Sequence, residues 1–360
     1  MALDFPVTPN PQPASDERIA EIHSKPGFGV NFTDHMATAQ WTKADGWRDG
    51  KIEPYAPFQI QPGNAVLHYA QTVFEGMKAY RWADGSIWSF RPDENARRLN
   101  RSAARLMLPA VDEADFLRAV DEVVALDARW VPDGEGEKSL YIRPFLFADE
   151  NYLGVRAAQT VKFAVILSPV EPYFENGVKP VKIYVTADSA RAGIGGTGYA
   201  KCGGNYAASY LATQEAYDAD CDQVLFIEPS SKDRLEELGG MNIMIVENGR
   251  IVTPALTGTI LDGITRKSVL QVAKDMGIET EERRITPDEL YSGLESGQIQ
   301  EAFSCGTAAV ITPVESFRTK DAVYEVPQPA GELTLALRER LVDIQYGRAE
   351  DAHGWMHRIV

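Results

Sequence analysis

Between Arg191 and Leu211 the chain reads RAGIGGTGYAKCGGNYAASYL, with Gly193, Gly195, Gly196, Gly198, Gly203 and Gly204 around the single lysine Lys201. Glycine at this density argues against a strand or helix interior. It asks for a loop of tight turns whose backbone comes close to something bound. A lysine in such a loop is either a point charge for a phosphate or an amine nucleophile that forms a Schiff base. The following run NYAASYLATQEAYDA has good helix formers and aromatic residues at helical spacing, so a helix is expected from about Asn205. A surface loop that needs only flexibility is the bland alternative.

Gly193, Gly195 and Gly198 also spell G-x-G-x-x-G. That dinucleotide fingerprint requires a strand running straight into it and a helix opening on it. Here the expected strand VKIYVTA is separated from the first glycine by Asp188 to Ala192, and Lys201 and two further glycines intervene before the helix. A nicotinamide or flavin site is therefore not expected.

A chain of 360 residues is long enough for two domains. No apolar run is long enough to span a bilayer, and the N-terminus lacks the basic start and apolar core of a signal peptide. Cys202, Cys221 and Cys305 are too few and too scattered for a disulfide framework or a zinc site, so no metal and a cytoplasmic location are expected. The net charge of −16 excludes nucleic-acid binding through a basic face. Any anion site must be made locally, by an arginine, by helix N-termini and by backbone amides.

A proline-rich arm and a short helix near Ser15 to His23 come first, then β-structure from Val30 to Trp88. DENARRLNRSAARLML reads as a helix carrying Arg97, Arg98, Arg101 and Arg105, and a second helix runs from Glu113 to Ala128. SLYIRPFLFA alternates as a strand, which puts Tyr141 and Arg143 on one face as a carboxylate-binding pair. A strand TVKFAVILSPV follows, and the unpatterned segment after it is the expected interdomain loop.

In the second half, Glu237 precedes Gly239-Gly240, and Asn248-Gly249 marks a hairpin. Ile264 and Thr265 open a helix after Asp262-Gly263, where backbone N–H groups and a hydroxyl can hold a phosphate. Thr286 with Glu289 is a capping box, Gly306-Thr307-Ala308 breaks a strand, and an amphipathic helix spans Glu332 to Gln345. Arg98, the Ile264-Thr265 turn and Thr307 offer anion-holding groups, Lys201 an amine and Glu237 a carboxylate. Together these meet the needs of pyridoxal phosphate: an aldimine partner, a carboxylate for the pyridine nitrogen, and phosphate donors.

The motifs LHYAQTVFEGMKAYR, LYIRPF, GGTGYAKCGGNYAAS, EELGGMN, GITR and SCGTAAVITPV, in this order from about Gly27 to Trp355, resemble the branched-chain amino acid aminotransferases, fold-type IV pyridoxal-phosphate enzymes. The resemblance implies an α+β (mixed α/β) fold: a smaller N-terminal domain over residues 1–170, an interdomain loop over 171–181, and a larger C-terminal cofactor domain over 182–360 with a β-barrel-like core. It implies reversible transamination of L-leucine, L-isoleucine and L-valine with 2-oxoglutarate. D-amino acid transaminases, R-selective amine transaminases and aminodeoxychorismate lyases are the alternatives on the same fold.

Carried over by motif, Lys201 is the Schiff-base lysine and proton shuttle. Glu237 pairs with the pyridine nitrogen and Tyr206 with the phenolic oxygen. Arg98, Ile264, Thr265, Gly306 and Thr307 hold the phosphate. Tyr141 and Arg143 line the substrate side, Ala308 offers an N–H to the α-carboxylate, and Phe74 and Tyr173 wall an aliphatic pocket. Tyr69 and Val155 are lent by the partner of a homodimer. Three features depart from the family pattern: no C-x-x-C follows the GTA turn, Asp262 stands where proline is common, and Glu171 and Glu175 flank PYF.

Overall fold

In the computed structural model, which describes residues 2–171 and 178–360, the fold is mixed α/β and the described residues form two compact units. One takes in residues up to 171 with 200–203 and 344–360; the other takes in 178–199 and 204–343.

In the first unit, α1 (Asp16–Ser24) is capped by the Ser15 hydroxyl. The strands are β1 (His35–Thr42), β2 (Gly46–Pro54), β3 (Thr72–Phe74), β4 (Met77–Arg81), β5 (Ile87–Phe90), β6 (Ser139–Ala148) and β7 (Thr160–Val170). A short helix, α2 (Ala65–Tyr69), interrupts the stretch read as β-structure. It forms because the Asn64 side chain accepts the Val66 N–H at one end and Ala70 turns left-handed at the other.

The helices α3 (Pro92–Arg105) and α4 (Glu113–Leu126) lie against this sheet. On α4, Phe116, Ala119, Val120, Val123 and Val124 are fully buried, the spacing that turns one helical face inward. They pack with Phe163, Leu140 and Ile142 into one core.

The second unit contains β8 (Val181–Thr186), α5 (Gly203–Asp218), β9 (Gln223–Ile227), β10 (Leu235–Leu238), β11 (Asn242–Glu247), β12 (Arg250–Pro254), α6 (Ile264–Asp275), β13 (Thr280–Arg283), α7 (Pro287–Ser296), β14 (Ile299–Gly306), β15 (Val310–Arg318) and β16 (Val323–Glu325), and most of α8 (Glu332–Gln345). Its sheet runs β10-β9-β8-β15-β14-β11-β12-β13, with β16 on β15. It curls into a half-barrel, bringing β10 back against β11 and β12. The chain then returns to the first sheet through β17 (Met356–Arg358), whose order is β17-β5-β4-β6-β7-β1-β2 with β3 on β6.

Local signals act as read. Asn248 and Gly249 both take positive φ between β11 and β12, as a tight hairpin demands. Thr286 and Glu289 close the capping box of α7. Among the described residues no helix is long and apolar enough to cross a membrane, and no group of three or more His, Cys, Asp or Glu side chains is placed to hold a metal ion.

Candidate active site

Lys201 is fixed through its backbone. Its N–H donates to the Ser102 hydroxyl on α3 at 2.9 Å, and its carbonyl accepts from the Phe74 N–H at 3.0 Å. Cys202 bridges to Val73 beside it. The lysine is therefore pinned between a strand and a helix, and its amine lies 5.0 Å from the centre of the Phe74 ring.

Arg143 stacks on the same ring, its guanidinium carbon 4.9 Å from the centre. As alternation along β6 predicts, Arg143 and Tyr141 face the same way, and the arginine donates to the Tyr141 hydroxyl at 3.3 Å. A side chain on Gly76 would overlap that hydroxyl, so glycine is needed there. The Arg143 Nε is buried without a hydrogen-bond partner. Two cationic heads gathered on one ring, one of them with an unmet donor, make this region attractive to a carboxylate.

Arg98 is buried on the inner face of α3. Its Nε and one terminal nitrogen donate to the two oxygens of Glu75 at 2.8 and 2.7 Å, and Asn95 donates to the same carboxylate at 2.7 Å. A guanidinium has five N–H donors. Two grip Glu75, which sets the plane in which the remainder point. Arg97, by contrast, lies on the exposed side with Asp93 and Glu94.

In the second unit the glycine loop is held from inside. Asn205 donates to the Thr197 carbonyl at 2.8 Å and accepts from its hydroxyl at 2.7 Å. Gly198 lies so close to Thr259 that any Cβ would overlap its backbone. β8 ends at Thr186 and α5 starts at Gly203, so the G-x-G-x-x-G spelling opens no helix.

Glu237, on β10, is buried, and donors from three segments of the chain converge on it. These are Arg191 at 2.5 Å, Asn242 at 3.0 Å and the Leu261 N–H at 2.8 Å. Arg191 also donates to the carbonyls of Gly198 and Thr259, which ties the glycine loop to this carboxylate. Asn242 in turn lies against Gly263, where a Cβ would overlap its amide oxygen. That contact joins Glu237 to the start of α6. No side chain caps α6, whose first residues are the buried Ile264 and Thr265. Its leading N–H groups are suited to an anion. Tyr206, on α5, has its ring against Gly240. Gly306 ends β14, and Thr307 and Ala308 lie in the turn that leads into β15.

These donor sets fit the expected cofactor. A buried carboxylate held by an arginine is matched to a protonated pyridine nitrogen, and an uncapped helix start to a phosphate. The Asp262 carboxylate beside that start pairs with Lys267 at 2.8 Å, which answers its charge. Tyr69 is 42% exposed with its hydroxyl bonded to the Leu153 carbonyl, and Val155 is 90% exposed. Tyr173 and Glu175 lie outside the described residues, while Glu171 donates its N–H to the Gly27 carbonyl.

Sequence reasoning assigned no role to Glu75, Arg191, Asn242 or Ser102. Asn242 follows the double glycine of EELGGMN and Arg191 heads the glycine stretch. Nothing local names the carboxylate each one serves.

The family model of amino-transferase class IV matches residues 72–317. A probable branched-chain-amino-acid aminotransferase of Streptomyces coelicolor is 50% identical over 354 residues, 98% of either chain. The branched-chain-amino-acid aminotransferase of Mycolicibacterium smegmatis is 47% identical over 363 residues, 99% of this chain and 98% of that protein. Among solved structures, the branched-chain aminotransferase of Thermoproteus uzoniensis with norvaline aligns at a TM-score of 0.74 and 28% identity, covering 90% of this chain and all of that one. The T.th. branched-chain amino acid aminotransferase with pyridoxamine 5′-phosphate aligns at 0.72 and 29%, covering 90% and 99%.

Proposed function

The chain belongs to the branched-chain-amino-acid aminotransferases within the class IV family, and on that premise we propose that it transfers the amino group of L-leucine, L-isoleucine and L-valine reversibly to 2-oxoglutarate. Its cofactor is pyridoxal 5′-phosphate. When bound, the cofactor supplies an electron-accepting ring that eases loss of the substrate α-proton. The observation that carries the reading is Glu237, a buried carboxylate fixed by Arg191, Asn242 and the Leu261 N–H. Such a group keeps a ring nitrogen protonated.

The remaining residues divide the work. Lys201 would hold the cofactor through its amine and would carry a proton between the substrate α-carbon and the cofactor's C4′. Its backbone bonds to Ser102 and Phe74 fix the root of that movement. Tyr206 donates to the phenolic oxygen. Arg98, Ile264, Thr265, Gly306 and Thr307 bind the phosphate. The Ala308 N–H receives the α-carboxylate. Phe74 walls the aliphatic side chain, and Arg143 with Tyr141 receives the distal carboxylate of glutamate. The exposed Tyr69 and Val155 belong to a surface that a second copy covers in a cytoplasmic homodimer.

The test follows the visible absorbance of the purified protein with added cofactor. L-leucine is expected to bleach the band and 2-oxoglutarate to restore it, while Lys201→Ala does neither. Bleaching by D-alanine or an R-amine but not by L-leucine would assign the chain to another activity of the same fold.

A further inference from the structure

β10 contains two adjacent buried carboxyls, and only Glu237 has been used so far. In a regular strand, neighbours point to opposite faces. Here Leu235 stands opposite Ile227 and Leu238 opposite Leu225, so Glu236 and Glu237 together face the single residue Phe226. This is a β-bulge, a device that re-aims a side chain.

Glu236 is 1% exposed, and neither of its oxygens has a hydrogen-bond partner of good geometry. The Nε atoms of Arg191 and Arg234 are likewise buried and unmet. The Thr259 hydroxyl acts on Glu236 as a hydrogen-bonding group at looser geometry, and Arg191, Arg234 and Glu228 act on it through their charge. Arg191 is thus bonded to one of two neighbouring carboxyls and acts on the other through its charge. Its terminal nitrogen is on Glu237 at 2.5 Å, and its Nε is unanswered.

An ionised Glu236 would compete with Glu237 for the Arg191 guanidinium. A neutral one can donate a proton and accept through internal water, the usual partner of such groups. We propose that Glu236 is a positioning residue that, through buried water, backs the Nε side of Arg191 and keeps the guanidinium turned onto Glu237. Burial raises the Glu236 pKa against the opposing pull of Thr259 and the two arginines, with Glu228 adding to the rise.

The inference rests on the reading of Glu237 as the partner of the cofactor's ring nitrogen. Its test uses the holoenzyme with Glu236→Leu and Glu236→Gln. The readouts are pyridoxal-phosphate affinity and the pH midpoint of the cofactor's visible band. Glu236→Leu is expected to weaken affinity about tenfold, the loss of one hydrogen bond to a charged group, and to move the midpoint by about half a unit or more. Glu236→Gln, which keeps a neutral donor and acceptor, is expected to recover most of both. A Leu variant equal to wild type, or a Gln variant as impaired as Leu, overturns the proposal. Should the wild-type band ignore L-leucine, the reading of the site fails first and takes this inference with it. A wild-type band that cycles normally leaves the variants to decide Glu236 alone.

Discussion

Replacing Glu75 by glutamine keeps the size of the side chain and removes only its charge and one acceptor. Arg98 donates to both oxygens, Asn95 to one, and the Gly76 N–H leans on the same one at 3.4 Å. Every neighbour named is a donor, so the new amide NH2 must face another N–H. Glu75 is fully buried and Arg98 nearly so, and water cannot take over. Removing one partner of such a pair costs about 3–5 kcal/mol. The retained oxygen places Glu75→Gln near the lower end, about 3 kcal/mol, against a total stability of about 5–15 kcal/mol.

Urea unfolding of the apo protein measures this directly, and a cycle with Arg98→Met isolates the pair. The double variant should recover part of the loss, because the orphaned charge is gone. If Glu75→Gln shifts stability by less than about 1 kcal/mol, or the two changes simply add, the pair does not hold α3 as argued. The same variant should broaden or shift the phosphorus resonance of bound pyridoxal phosphate, since Glu75 sets the direction of the Arg98 fork.

Gly198→Ala should dislodge the glycine loop, because its Cβ would overlap the Thr259 carbonyl with the Cα at 2.5 Å. A penalty of about 1–3 kcal/mol and weaker cofactor binding are expected by thermal shift with and without cofactor, and an unchanged melting temperature would contradict the packing. Glu301 accepts from the Leu333 and Thr334 N–H groups and the Thr334 hydroxyl, so it caps α8 from β14. Glu301→Ala should cost about 1–2 kcal/mol, read by denaturation, and wild-type stability would remove that role. The hydrogen bond to Asp121 raises the pKa of His357. This half-exposed pair therefore contributes at most about 1 kcal/mol, fully below about pH 6.5 and fading as pH rises through the folded-state value. Wild type and His357→Asn should differ at pH 5.5 and converge by pH 9; a gap that widens with pH refutes the pair.

Short-range chemistry was legible in the chain. The Lys201 loop, the 10-residue strand carrying Tyr141 and Arg143, the Asn248-Gly249 turn and the Thr286 capping box all rest on neighbours within a few positions. The class of cofactor followed from residue types and the family resemblance. What stayed hidden depends on distance along the chain. Glu75 meets Arg98 across 23 positions, and Arg191 meets Glu237 from a different loop. Neither pairing leaves a periodic trace. β13 reads TEER and has no apolar alternation, because among the described residues it is an edge strand, paired with β12 alone. The bulge at Glu236 and Glu237 is likewise a matter of register with β9, which no composition reports.

The pairing of β17 with β5 has a consequence for synthesis. Met356 lies opposite Phe90, yet most of the chain is translated between them. At about 5–20 residues per second, the outer edge of the first sheet waits on the order of tens of seconds before its last strand exists. Throughout that interval β5 presents unmet backbone donors and acceptors, a ready template for another strand. The nascent chain stays open to mispairing and chaperone capture at that edge until residues 356–358 have left the ribosome, long after those around Lys201 have done so.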